Sequence, residues 1–520
     1  MGANQLPQKV DPPERLVSVV SITSTISEKP KTDWKSLWIA TIVLFLTGVQ
    51  FSMFVSSLYP YLRKIDEDAT ETFFGFVIAV FSLGQLLFAP LWGYWSNRWK
   101  TIRIPIVTGL AIQLLGNLGF CLVEAWPKTV PRRFVLLAFR FLSGIGAANA
   151  GVVRSYASMA SVAADKARAI SLISAGFSLG VMVGPGIQAI FTNIGYPGFV
   201  YDKFHLDMYT APGYASMVLN LIAIALMYLL FKERFVSVQK PRKHADYNVI
   251  PNYDIVAALI LIGGRFTMFF CGVNFETIGA PFTMAMFNWS NKEVILYNGI
   301  LQAGQGLFSM VLYTFIGSRR IYSKLNERVT ILMGFACFLI CYLITFSWPN
   351  EQPLPDFMLY DINPAGTASP NTTTSSVNAT TVAAIATSGC EYRFTWCYYT
   401  PKITLAQYIV GFVFLSVAYP MVNAVAGTLY ANVLGPRRQG TMQGLFVTAG
   451  SLARMLGPLF ISSLFEQNGP RVPWGITLGL VTIYMTLILI FYRRLVPLDL
   501  KPKLQAGDHI TYDKGKLYRF

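Results

Sequence analysis

Charge is what this 520-residue chain has least of: Asp, Glu, Lys and Arg make up only 13% of it, against roughly a quarter in an ordinary soluble domain. That deficit excludes a water-facing globular surface over most of the chain. Histidine is scarcer still, at three copies, His205, His244 and His509. All three lie outside the apolar stretches, so a histidine proton relay within those stretches is excluded. No phosphate-cradling glycine loop, metal-ligand cluster or hydrolytic triad stands out. The residues therefore point to no cofactor, no metal and no enzyme. A cleavable signal peptide is also missing, because the N-terminus up to about Asp33 is polar and Pro-containing and lacks an apolar core. The first apolar stretch is expected to direct insertion.

What the chain has is hydrophobic residues, 53% of the total. A bilayer core needs about 20 apolar residues per spanning helix, and backbone in lipid must satisfy its own hydrogen bonds, which makes such stretches helices. Twelve are expected, at about 34–62, 72–96, 104–125, 134–161, 169–194, 210–232, 254–286, 291–317, 328–348, 402–432, 441–466 and 472–493. The fold class is thus an all-α polytopic membrane protein in two six-helix halves, 34–232 and 254–493, with tails 1–33 and 494–520 and a linker 233–253. An even number of spans puts both termini on one side. Of the 42 Lys and Arg, 28 fall on that side, 10 on the other and 4 inside helices, so the termini are expected to be cytoplasmic. The net charge of +16 is spread over loop ends rather than gathered in one patch, which points away from nucleic acid and towards the lipid bilayer.

The loop 349–401 is unusually long and Ser/Thr-rich. It carries acceptor triplets at Asn371 and Asn378, and the helix count puts it on the side away from the termini, where glycosylation is possible. A third triplet, at Asn288, lies close to helix ends. Cys390 and Cys397 share the long loop and are the one disulfide candidate, whereas Cys121, Cys271, Cys337 and Cys341 lie in apolar stretches. Tyr247 opens a tyrosine-based pattern, Tyr247-Asn248-Val249-Ile250, that sorting adaptors read and that also arises by chance.

The two halves echo each other: "SAGFSLGVMVGP" at 174–185 ends as "TAGSLARMLGP" at 448–458 does. The loop "GYWSNRWKTIR" at 93–103 supplies Gly93, Arg98 and Arg103, "RFLSGIGAA" supplies Arg140, Gly144 and Gly146, and "GVMVGPG" runs from Gly180 to Gly186. These strings resemble the signatures of the major facilitator superfamily. Longer strings, among them "LYPYLRKID", "VVRSYASMA" and "NFETIGAPFTMAMFNW", resemble the domain-containing protein 8 family of that superfamily, lysosomal membrane proteins tied to neuronal ceroid lipofuscinosis type 7. The resemblance implies a lysosomal or late endosomal membrane and transport or conductance of an anion, chloride included. It also implies a latch role for position 97, where the superfamily has Asp and this chain has Asn97. With the ion pair gone, a weaker latch is expected.

Ionisable groups within membrane helices are costly and mark functional candidates. Arg140, Arg154, Arg265 and Arg454 all lie inside apolar stretches, against a single acid well inside a helix, Glu276. Arg154 is deep enough to snorkel to the interface. Arg140 fits a structural role as readily as a proton-linked one. Arg265 and Arg454 fall near mid-depth and are the candidates for an anion-attracting centre; carbonyl bonding or helix capping is the plainer reading of each. Glu276 lies eleven residues beyond Arg265, on the same face of an ideal helix, and is the candidate for proton coupling, with a salt-bridge role at the helix mouth as the alternative. Asn298, Gln302 and Gln305 share a helix face and either contact solute or bond across helices. Gly176, Gly180, Gly184 and Gly186, with Pro185, read as a close-packing seam or a gating element. The function expected is a transporter or conductance for a small anionic solute or inorganic anion. The rival is a membrane receptor or scaffold that kept the fold, and oligomeric state is left open.

Overall fold

The computed structural model describes residues 31–54, 57–66, 71–127, 131–201, 204–237, 252–289, 291–348, 359–360, 390–391, 394–498, 510–513 and 516–519. Asn371, Asn378 and Tyr247 lie outside these residues. Within them twelve helices are long and apolar enough to cross a membrane: α1 Trp34–Met53, α2 Phe73–Trp99, α3 Arg103–Cys121, α4 Arg132–Ala160, α5 Ala163–Ile194, α6 Ala211–Leu229, α7 Ile255–Phe287, α8 Leu296–Gly317, α9 Glu327–Ile344, α10 Leu405–Leu434, α11 Gly440–Asn468 and α12 Arg471–Ile490.

Local chemistry sets several of the ends. Asp254 caps α7, its carboxylate accepting from the amides of Val256 at 2.9 Å and Ala257 at 3.3 Å, and thereby satisfies donors that the first helical turn leaves open. Thr404 and Gln407 form a reciprocal capping box at the start of α10. Gly435 and Gly469 end α10 and α11 at φ of 74° and 70°, a conformation that favours glycine. Two boundaries differ from the sequence expectation. The first stretch stops at Met53 and a separate short helix, Leu58–Ile65, follows it. α4 is broken between Ala147 and Ala150, where the Asn149 side chain donates to the Ile106 carbonyl at 3.3 Å. Between α5 and α6 a small hairpin forms from β1, Phe199–Tyr201, and β2, Phe204–Leu206.

Each half has its own apolar core. Leu37, Leu44, Ile106, Val152, Tyr156 and Ile173 belong to the first, and Met268, Phe282, Phe335, Tyr408, Val425 and Trp474 to the second. The halves meet where small residues let backbones touch. A Cβ placed on Gly93 of α2 would lie 2.2 Å from the Gly440 carbonyl oxygen at the start of α11, and one on Gly444 would lie 2.5 Å from that of Ala89. Gly151 of α4 faces Gly444 in the same region. Deeper in, the Ser451 hydroxyl of α11 donates to Gln85 of α2 at 3.2 Å and the Thr448 hydroxyl to the Leu86 carbonyl at 3.2 Å. The end of the bundle that carries the termini is thus sewn shut along α2 and α11.

Candidate functional site

Between the halves lies a small cavity of about 60 Å³, lined by residues from both, among them Thr47, Phe51, Phe81, Gln85, Gln113 and Arg154 of the first half and Arg265, Phe269, Ser451 and Arg454 of the second. Three of the four arginines found in apolar stretches therefore converge on one space. Arg265 is 6% exposed and Arg154 8% exposed. Among the described residues neither these nor Arg454 has a carboxylate within ion-pair distance. Arg265 is repelled by both Arg154 and Arg454.

Aromatic faces take the place of counter-ions. The Arg265 guanidinium lies 4.3 Å from the Phe269 ring centroid and 5.1 Å from that of Phe446. Arg454 lies 4.6 Å from Phe269 and 4.8 Å from Phe51. Phe51 reaches Phe81 at 5.8 Å, and Arg140 sits over Phe81 at 4.9 Å. Each such contact contributes about 0.5–2 kcal/mol and leaves the net charge where it was. Glycine makes the arrangement possible: a Cβ on Gly450 of α11 would come within 2.9 Å of the Phe269 ring.

Arg265 is also held by a polar bracket. Its Nη1 donates to Oδ1 of Asn423 on α10, and Asn423 Nδ2 donates to the Tyr313 hydroxyl of α8 at 2.7 Å. The Nε atoms of Arg265 and Arg454 are buried without an acceptor. Buried donors of this kind are normally satisfied, so the site has hydrogen bonds to offer.

The other expected site residues are distributed as follows. Arg140 stands apart from the cavity, stacked over Phe54 and Phe81. Glu276 is exposed on α7; it does not line the cavity, yet it lies within electrostatic reach of Arg454. Asn298 is bonded within its own half, donating to Thr283 at 3.1 Å and accepting from Tyr408 at 3.3 Å, and Gln302 is exposed. Neither belongs to the cavity lining. Gly180 and Gly184 form a seam against α1, where a Cβ would lie 2.2 Å from the Phe45 carbonyl and 2.8 Å from that of Val49. Pro185 sits within the same continuous helix. That seam lies inside the first half, not between the halves. Arg98 is exposed in the last turn of α2. Asn97 accepts from the Gly440 amide at 2.9 Å and donates to the Thr441 hydroxyl at 2.9 Å, a two-bond link between α2 and α11 that needs no ion pair. Cys397 is disulfide-bonded, and Cys121, Cys271, Cys337 and Cys341 are free.

Sequence reasoning missed Gln85, Gln113 and Phe269, and it read Arg154 as an interfacial side chain rather than a cavity-lining one. Arg154 does not snorkel to an interface: it is buried in the cavity wall, 8% exposed, on a helical segment buried at every position from Gly151 to Ala160. The signal was the run Gly151–Ala160, small or apolar except for Arg154 and Tyr156, the pattern of a helix enclosed on all sides.

Residues 40–390 match the family model described as Major Facilitator Superfamily. The chain is 33% identical, over 90% of its own length and 92% of the relative's, to "Major facilitator superfamily domain-containing protein 8" of Xenopus laevis. It is 25% identical to "Tetracycline resistance protein, class B" of Escherichia coli, over 60% of this chain and 73% of that one. Among solved structures it resembles the human organic anion transporter MFSD10, with a TM-score of 0.60 at 16% identity over 88% of this chain and 99% of that one. It also resembles the proton:xylose symporter XylE, with a TM-score of 0.61 at 14% identity over 89% and 97%. At these identities the structural likenesses establish the fold alone.

Proposed function

The chain belongs to the major facilitator superfamily, and from that premise we propose that it carries a small anionic solute or inorganic anion across a lysosomal or late endosomal membrane, both termini facing the cytosol. The single observation that carries this reading is the convergence of Arg154, Arg265 and Arg454 on one cavity between the halves without a carboxylate partner among the described residues. Two buried cations beside a half-buried third are costly unless a counter-charge arrives, and an anion is the ligand that supplies it. Arg265 and Arg454 sit at the interface of the repeated halves, the place where alternating-access carriers bind their cargo. The organic anion transported by the structurally similar MFSD10 points the same way.

In this mechanism Asn423 and Tyr313 orient Arg265, Phe269 sits against both Arg265 and Arg454, and the low effective dielectric around buried side chains strengthens charge attraction. Glu276 is the proposed proton-coupling group, because it is exposed on α7 and feels the Arg454 charge. The Asn97 link and the glycine contacts of α2 with α11 hold the terminus-bearing end closed. The localisation and the termini's orientation are supported by the resemblance and by the Lys/Arg asymmetry. A scaffold has no need of three unneutralised cations in its middle.

The deciding experiment is anion uptake into proteoliposomes holding the purified chain, with chloride, nitrate, sulfate and a monocarboxylate offered one at a time. Uptake of at least one anion, lost in Arg265→Gln, supports the proposal. No uptake of any, by protein that melts cooperatively, removes it.

A further inference from the structure

The end of the bundle opposite the termini holds a second group of ionisable side chains, separate from the central cavity. Glu124 follows the end of α3, His205 lies in β2, and Asp207 stands between β2 and α6. Asp207 is fully buried. Its Oδ1 accepts from the amides of Tyr209 at 2.7 Å and Thr210 at 2.9 Å, tying the entry of α6, while its Oδ2 meets no donor. The Glu124 side chain is 8% exposed and its Oε2 lies 4.0 Å from His205 Nδ1. Its Oε1 likewise meets no donor.

Two buried carboxylate oxygens without donors in one cluster are an expense that a bound proton removes, because a protonated carboxyl both loses its charge and gains an O–H to donate. Burial first, and then the Asp207 charge, push the Glu124 carboxyl above the usual carboxylate range, while His205, Arg132 and Lys64 pull it back. The surrounding elements contribute few other charges among the described residues. The short helix Leu58–Ile65 supplies Tyr61, whose buried hydroxyl has no partner, and Lys64, whose ammonium lies 4.7 Å from the Tyr196 ring. α4 supplies Arg132, and α6 supplies Tyr214, whose hydroxyl is also without a partner.

We propose that Glu124, His205 and Asp207 form a proton-binding site that clamps the β1–β2 hairpin and the start of α6 onto the α3–α4 connection when the medium on that side turns acidic. At neutral pH two carboxylates share the cluster and repel. On acidification Glu124 takes a proton, which removes one of the two like charges and gives the cluster an O–H to donate. The linkage has one sign. A carboxyl raised in the folded state binds its proton more tightly there than in the unfolded chain. Its stabilising effect is complete below the ordinary value of about 4.3 and fades as pH climbs through the raised folded value.

The test is hydrogen–deuterium exchange of residues 196–214 in the full-length chain in nanodiscs, at about pH 7.5 and about pH 5, corrected for intrinsic exchange rates. The wild type is expected to exchange about fivefold more slowly at the acidic pH. Glu124→Gln, which fixes the carboxyl as neutral, should be protected at both pH values. Arg265→Gln, in the central cavity, should keep all of it. Equal wild-type protection at the two pH values overturns the proposal, and so does a full response in Glu124→Gln. Should Glu124→Gln not fold, the wild-type comparison still decides.

Discussion

Arg265 of α7 and Arg454 of α11 share one aromatic partner, Phe269, at 4.3 and 4.6 Å from its ring centroid. The two guanidiniums repel, and the shared ring eases the burial of both without cancelling either charge. Arg265→Gln and Arg454→Gln are each expected to lower anion uptake by up to two orders of magnitude, since a lost hydrogen bond to a charged group is worth about 1.5–3 kcal/mol. Arg154→Gln should do the same. Uptake assays on protein matched for quantity check this, and wild-type rates from all three variants would end the positive-centre reading. Phe269→Leu keeps both charges and should cost about tenfold or less.

Glu276→Gln is expected to leave uptake intact while abolishing its response to pH on the side opposite the termini. Uptake measured across a series of pH values on that side checks it. A pH response identical to wild type would move the coupling group elsewhere.

Gly93→Ala should pry α2 from α11. The new Cβ has 2.2 Å to the Gly440 carbonyl oxygen, and backbone gives way less readily than a side chain, so a strain of about 1–3 kcal/mol is expected. Cysteine accessibility at the terminus-bearing end should rise. Asn97→Ala removes two hydrogen bonds and should act in the same direction, whereas Asn97→Asp keeps the acceptor for the Gly440 amide and should open that end least.

Gly180→Ala probes the other seam. A Cβ 2.2 Å from the Phe45 carbonyl strains the α1–α5 crossing inside one half, so the melting temperature should fall while the relative preference among anions stays unchanged. A change in that preference at constant stability would give the seam a gating role.

In the long loop, Asn371→Gln with Asn378→Gln should remove the gel shift that a glycosidase removes from wild type. Cys390 is the proposed partner of the disulfide-bonded Cys397, and Cys390→Ser should free one thiol that maps to Cys397. Labelling at Cys397 equal to that of wild type would point to another partner.

The twelve helices were legible because each needs only length and apolarity, and the capping residues Asp254 and Thr404 mark their ends in the sequence itself. The two mid-depth arginines, Arg265 and Arg454, were legible for the same reason: depth is a count of residues. Direction around the helix axis is a different matter. Asn298 and Gln302 do lie on one side of α8, but Asn298 turns towards Thr283 and Tyr408 of its own half, and no count of residues reveals which neighbour a face will meet. Arg154 was misread because a residue count gives its depth but not that its segment, Gly151–Ala160, would be enclosed on every side. The link through Asn97 was underrated, since an amide can both accept and donate, and Gly440 and Thr441 provide one partner for each.

The aromatic rings around Arg265 and Arg454 have an electrical consequence. Because rings insulate cations without neutralising them, the empty cavity holds three positive charges in the middle of the protein, and an anion aboard reduces that number. Any rearrangement that shifts these groups through part of the membrane field does work against the voltage, about 2.3 kcal/mol for each full charge carried across 100 mV. The loaded and unloaded forms therefore feel the same voltage differently, and a membrane potential alone can set which half of the transport cycle is slow.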